Sequence, residues 1–163
     1  MKELPGFKTI LYATDLGEHM RPVFKTALSL AIKYEAQIIM IHVVEPMSSA
    51  IQAVVDTYLT EIDAKKVHQD GMREVLQTMK NRLSKFCEEE LGSKEQQDLH
   101  VKEVLVVSGR PSEEIVRVAG KHNADLIIIG KATHHVLGSE VAGSTARRVT
   151  RHSSIPVLVV PNA

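Results

Sequence analysis

The residues best placed to do chemistry lie near the C-terminal end of the chain, where LIIIGKATHHVLGSEVAGSTARRVTRHSSIPVLVV runs from Leu126. An apolar run ends at Gly130, and Gly143-Ser144-Thr145 opens a segment with helical spacing at Ala146 and Val149. A glycine and two hydroxyl residues at a helix start suit a phosphate: the glycine admits close backbone approach, free N–H groups point outward, and the helix dipole favours negative charge. The same residues also suit a plain helix cap. A second candidate is Asp15 in Ala13-Thr14-Asp15, which follows the first apolar run and is also placed to cap a helix beginning near Glu18.

Two familiar phosphate motifs are excluded at this site. Gly138 to Thr145 reads GSEVAGST, with Ser144 where a P-loop needs the lysine that reaches the outer phosphates. No G-x-G-x-x-G occurs, so the usual dinucleotide fingerprint is missing. Other chemistry is thin. The single Cys87 stands beside Phe86 on the apolar side of a helical segment, where it reads as a small buried residue. His134 and His135 are adjacent rather than spaced i, i+4, which does not make a metal pair. No nucleophile elbow G-x-S-x-G occurs.

These residues must be positioned by the elements around them. Five short runs rich in β-branched and large apolar residues read as strands: Lys8 to Tyr12, Gln37 to Val44, Val101 to Val107, Leu126 to Ile129 and Pro156 to Val160. Their nearly continuous apolar character suits a parallel sheet covered on both faces. Helical spacing lies between them, at Val23, Ala27, Leu30 and Ala31, and at Ile115, Val118 and Ala119 after Pro111. Between the second and third strands, Ile51, Val54, Val55, Tyr58, Leu59 and Ile62 form one stripe. Met72, Val75, Leu76, Met79, Leu83 and Phe86 form another. Both read as core-facing, with a kink or break at Gly71 and a polar loop from Gly92 to Asp98. The alternation predicts a single α/β domain over residues 1–163, a doubly wound sheet of five parallel strands. In such sheets ligands sit beyond the carboxyl ends of strands where the winding reverses, so the loops after the first and fourth strands are the places to look.

Composition agrees. The 163 residues carry 20 Lys+Arg against 20 Asp+Glu, with 44% hydrophobic residues, the balance of a globular domain. Zero net charge argues against a general nucleic-acid or anionic-membrane binder, so Arg147, Arg148 and Arg151 read as a solvated or salt-bridged face. One cysteine precludes an intramolecular disulfide framework. No apolar run approaches the roughly 20 residues of a spanning helix. MKELPGFKT has no apolar signal core, and the expected location is the cytoplasm.

Taken together, these features resemble the universal stress protein family. The residues that carry the resemblance are Thr14-Asp15, His42-Val43 at the end of the second strand, GRPSEEI from Gly109, the terminal PVLVVP, and the spacing of Gly130, Gly143 and Ser144. The resemblance implies strand order 3-2-1-4-5, frequent dimers, and in one branch ATP bound through a G-x2-G-x9-G-[S/T] loop. Thr133 stands where that loop has its second glycine, although the nine residues from His134 to Ala142 keep the spacing. A β-branched Thr suits neither a positive φ nor a close phosphate approach, but it can donate a hydroxyl. By the resemblance, Ala13 and Asp15 line the ribose and adenine side, Val43 offers backbone groups to adenine, and Gly130 passes close to ribose and phosphate. Gly143, Ser144 and Thr145 cradle the phosphates, with Mg²⁺ as an accompanying ion. Lys131, His134 and His135 are placed to add local positive charge. The expected role is a nucleotide-responsive stress or regulatory module without catalysis; the alternative is a nucleotide-independent regulator acting through protein contacts. The apolar terminal strand, left at a sheet edge, predicts a homodimer through pairing of that edge.

Overall fold

The computed structural model describes residues 4–15, 17–46, 48–91, 100–131 and 143–162. Thr133, His134, His135 and the 92–98 loop fall outside them, as does the side chain of Cys87. The described residues form β1 (Thr9–Ala13), α1 (Arg21–Tyr34), β2 (Gln37–Val44), α2 (Ser49–Tyr58) and α3 (Glu61–Leu91). Then follow β3 (Val101–Ser108), α4 (Pro111–Lys121), β4 (Leu126–Gly130), α5 (Ser144–His152) and β5 (Val157–Val160). A short 3-10 turn, Glu18–Met20, leads into α1.

All five strands are parallel, in the order β3-β2-β1-β4-β5. Side chains alternate across such a sheet, and each face takes its own helices. Ile10, Tyr12, Ile38, Met40 and Ile128 pack with Val23, Phe24, Ala27, Leu28 and Ala31 of α1 and Met79 of α3. On the other face Leu11, Ala13, Ile39, Ile41, Ile127 and Ile129 pack with Ile115, Val118 and Ala119 of α4 and Ala146 and Val149 of α5. In α1, Phe24 and Leu28 are buried, while Leu30 of the expected stripe is half-buried.

The strands that carry the site are tied at their starts. The Asp125 carboxylate accepts the backbone N–H groups of Lys8 and Thr9 at 2.8 and 2.9 Å, and the Asp125 N–H donates to the Thr9 carbonyl at 2.8 Å. In GRPSEEI, Gly109 has φ +152°, and a Cβ there would lie 2.7 Å from Glu114 Cγ. Glycine thus permits the turn that delivers Pro111 to the first position of α4.

Two expectations for the segment after β2 are corrected. Gly71 is not a break: α3 runs through it, and the chain instead breaks at Leu59, which is extended at φ −119° and ψ 145°. A side-chain cap at Thr60 starts the new helix there. Thr60 Oγ1 accepts the Asp63 N–H at 3.2 Å and donates to Asp63 Oδ2 at 2.6 Å. The first stripe is also not core. Helix α2 buries no residue, and Ile51, Val54, Tyr58 and Ile62 are exposed.

Glycine inside a helix is less stable than alanine by roughly 0.5–1 kcal/mol, and a Cβ on Gly71 would meet no heavy atom within 4 Å. Gly71→Ala is therefore expected to raise the stability by about that amount, read as a higher urea midpoint at unchanged m-value. A lowered midpoint contradicts the helical assignment.

Candidate functional site

The winding reverses between β1 and β4, which are neighbours in the sheet although β2 follows β1 in sequence. A cleft of about 260 Å³ opens beyond their carboxyl ends. It is lined by the loop after β1 (Ala13, Thr14, Asp15), the end of β2 (His42, Val43, Glu45), the end of β4 (Ile129, Gly130), Pro111 and Ile115 of α4, and Thr145 of α5. Five of the residues singled out in the sequence thus share one cleft: Ala13, Asp15, Val43, Gly130 and Thr145.

The loop after β1 is held by polar contacts from both sides. Thr14 N–H donates to the Ile41 carbonyl at 3.0 Å, and His42 Nδ1 lies 2.9 Å from the Thr14 carbonyl. A carbonyl only accepts, so His42 is protonated at Nδ1. Asp15 is two-handed: Oδ1 accepts the Gly17 N–H at 2.9 Å, and Oδ2 pairs with His19 Nε2 at 2.9 Å. The residue before the Glu18–Met20 turn is Gly17, so Asp15 orders the approach to that turn rather than occupying the cap itself. A Cβ on Gly17 would collide with the His19 ring, so glycine here leaves room for the ring against Asp15. Under this loop Tyr12 is buried. Burial pushes its phenol well above the usual range, Thr14 pulls it down by a hydrogen bond, and the Asp15 charge raises it further.

Strand parity explains the place of Val43. In a parallel sheet the N–H and C=O of one residue point to the same side, and those of the next point to the other. The Ile41 carbonyl faces β1, since it accepts the Thr14 N–H, whereas the Val44 carbonyl faces β3 and accepts the Gly109 N–H at 3.0 Å. Val43 shares the parity of Ile41. Its backbone groups therefore point across the gap beyond Ala13, where β1 has ended.

At the far side of the cleft, the Gly143 N–H donates to the Lys131 carbonyl at 2.6 Å, and Lys131 N–H donates to the Val160 carbonyl at 2.8 Å. The start of α5 is thereby pinned beside the end of β4. Gly143 has φ −54° and spends its own N–H on this bond, so the donors left for a ligand come from the residues after it. Thr145 faces the cleft, whereas Ser144 lines a separate depression with Arg147, Arg148, Thr150 and Arg151.

Gly130 has a role that sequence reasoning missed. A Cβ at this position would lie 2.7 Å from Asn162 Nδ2 and 3.1 Å from Met20 Sδ. Asn162 is buried, and its Nδ2 lies 3.5 Å from Met20 Sδ. The absent side chain thus makes room for the C-terminal segment behind the cleft. Thr14 and His42, quoted in the sequence without a site role, also line the cleft, and Glu45 was missed; all three follow from the same strand ends once the sheet order is known.

The universal stress protein family profile matches residues 6–161. The chain is 28% identical to universal stress protein MJ0577 of Methanocaldococcus jannaschii, over 94% of each chain. It is 29% identical to a universal stress protein of Thermus aquaticus, over 94% of this chain and 98% of that one. Among solved structures, MJ0577 superposes with a TM-score of 0.69 at 26% identity, covering 96% of this chain and 97% of that one. A universal stress protein solved in complex with cAMP superposes at 0.60 and 19% identity, covering 97% and 99%. The five-stranded parallel sheet, its order and the match over almost the whole length agree: this chain belongs to the universal stress protein family.

Proposed function

We propose that this chain binds ATP or a related adenine nucleotide, accompanied by Mg²⁺, in the cleft between β1 and β4, and that occupancy regulates what the protein contacts in a stress response. The observation that carries this reading is the convergence of Ala13, Asp15, Val43, Gly130 and Thr145 on one cleft at the switch point. At about 260 Å³ the cleft is slightly below the roughly 300–1,000 Å³ of sites for drug-sized ligands, which suits a nucleoside with its phosphates extending outward. Val43 offers a backbone donor and acceptor to a base edge. Asp15 and Glu45 suit ribose hydroxyls and repel phosphate, so the phosphates belong at the α5 end, where Thr145 and the first-turn N–H groups lie. The cAMP complex of a protein of this fold fits the same ligand class. The role is binding, not turnover, and the two copies of a homodimer pair through the β5 edge.

Mass spectrometry of nucleotide released from the purified protein, with calorimetric titration of ATP and Mg²⁺, tests the reading. A saturable heat is expected, and ligand at a hundred times its Kd adds about 2.7 kcal/mol to stability. Thr145→Glu separates fold from site: a carboxylate in the first turn suits the helix dipole but repels phosphate. The folded protein should persist with affinity reduced at least about tenfold, equivalent to about 1.4 kcal/mol. No heat and no thermal shift at millimolar ATP refute the proposal and favour a nucleotide-independent regulator.

A further inference from the structure

Helix α2 and the first turns of α3 form an arm that the domain does not cover, while α3 further on packs Met79 into the core. Ile51, Val54, Tyr58, Leu59, Ile62 and Val67 are 53, 57, 82, 37, 79 and 58% exposed. Together they leave on the order of 600 Å² of surface in water, at the top of what a monomer usually shows and near the roughly 800 Å² per partner of a standard interface. Between the two helices and the end of β2 lies an open groove of about 840 Å³, its floor mainly apolar (Val55, Leu59, Val67, Met72) with Lys65 and His68 also lining it. Helical spacing puts Ile51, Val54 and Tyr58 on one stripe of α2. Asp56, the one charged residue between Ser48 and Thr60, lies on the opposite side and accepts a hydrogen bond from Gln52 Nε2 at 2.9 Å.

We propose that this arm is a second self-association surface, in which α2 of one copy packs against the α2–α3 arm of another across a two-fold axis. Two observations select a second copy as the occupant. A two-fold contact sets each patch against its own kind, and an uncharged stripe meets no like-charge repulsion there. The exposed area on one arm is also close to one half of a stable interface. The arm supplies both parts of such a contact, a projecting uncharged stripe on α2 and a mainly apolar groove. It is distinct from the β5 edge, and its groove shares no lining residue with the cleft, so arm pairing doubles the particle mass whatever the state of that edge.

Sedimentation velocity and amide hydrogen exchange on the full chain, between about 1 and 100 μM, test this. The wild-type mass is expected to rise with concentration, and Val54→Glu combined with Tyr58→Glu to halve it at 100 μM. Both substituted side chains are exposed, so circular dichroism and thermal midpoint should hold. In the wild type, amides of residues 49–58 should exchange about tenfold more slowly at 100 μM than at 1 μM, a readout that needs no variant. Equal mass for variant and wild type, or equal exchange at both concentrations, overturns the proposal. Either result also follows if the arm serves a different protein.

Discussion

Ile128→Ala is expected to lower the unfolding free energy by about 2–5 kcal/mol, the range for removing most of a fully buried aliphatic side chain. Ile128 is fully buried in β4, opposite Tyr12 of β1 on one side and Leu158 of β5 on the other. Its neighbours are strand side chains held in register from both sides, so the surroundings have little freedom to collapse into the void. Against a total stability of roughly 5–15 kcal/mol, this is a large fraction. Urea unfolding at constant m-value measures it. A change below 1 kcal/mol would mean that the packing on this face of β4 is looser than described.

Gly130→Ala is expected to destabilise by about 1–3 kcal/mol, because the new methyl must displace buried groups rather than solvent. Asn162 Nδ2 would stand 2.7 Å from it. The partner in this clash can be shortened: in an Asn162→Ala background the same methyl enters freed space, so the two substitutions together should cost less than the sum of each alone. This cycle separates packing from ligand contact. If Gly130 serves a nucleotide by close approach, ATP affinity falls in both backgrounds, even where stability is recovered. If its purpose is to accommodate Asn162, affinity recovers with stability. Additive unfolding energies would rule out the steric coupling.

The sheet was legible because the burial that orders it is written locally. Leu126–Ile129 and Gln37–Val44 are apolar almost without interruption, as only strands covered on both faces need be. The boundary between α2 and α3 was less legible, because Gly71 is a prominent disfavoured residue whereas the Thr60 cap starts α3 with ordinary residue types. The exposed stripe on α2 could not be told from core by periodicity, which records that a face is apolar and not what covers it. For the site, Ala13, Asp15 and Thr145 were found because loops after β1 and β4 must meet at the switch point. The role of Gly130 was hidden because its partner, Asn162, approaches from the last residues of the chain.

The bond from Gly143 N–H to the Lys131 carbonyl joins two main-chain groups. Lys131 and Gly143 are fastened to each other directly, so the start of α5 is set beside the end of β4 by groups that no side chain at either position has to supply. Substitution at either position is therefore cheap for this junction as long as residue 143 keeps its backbone N–H, which only proline would remove.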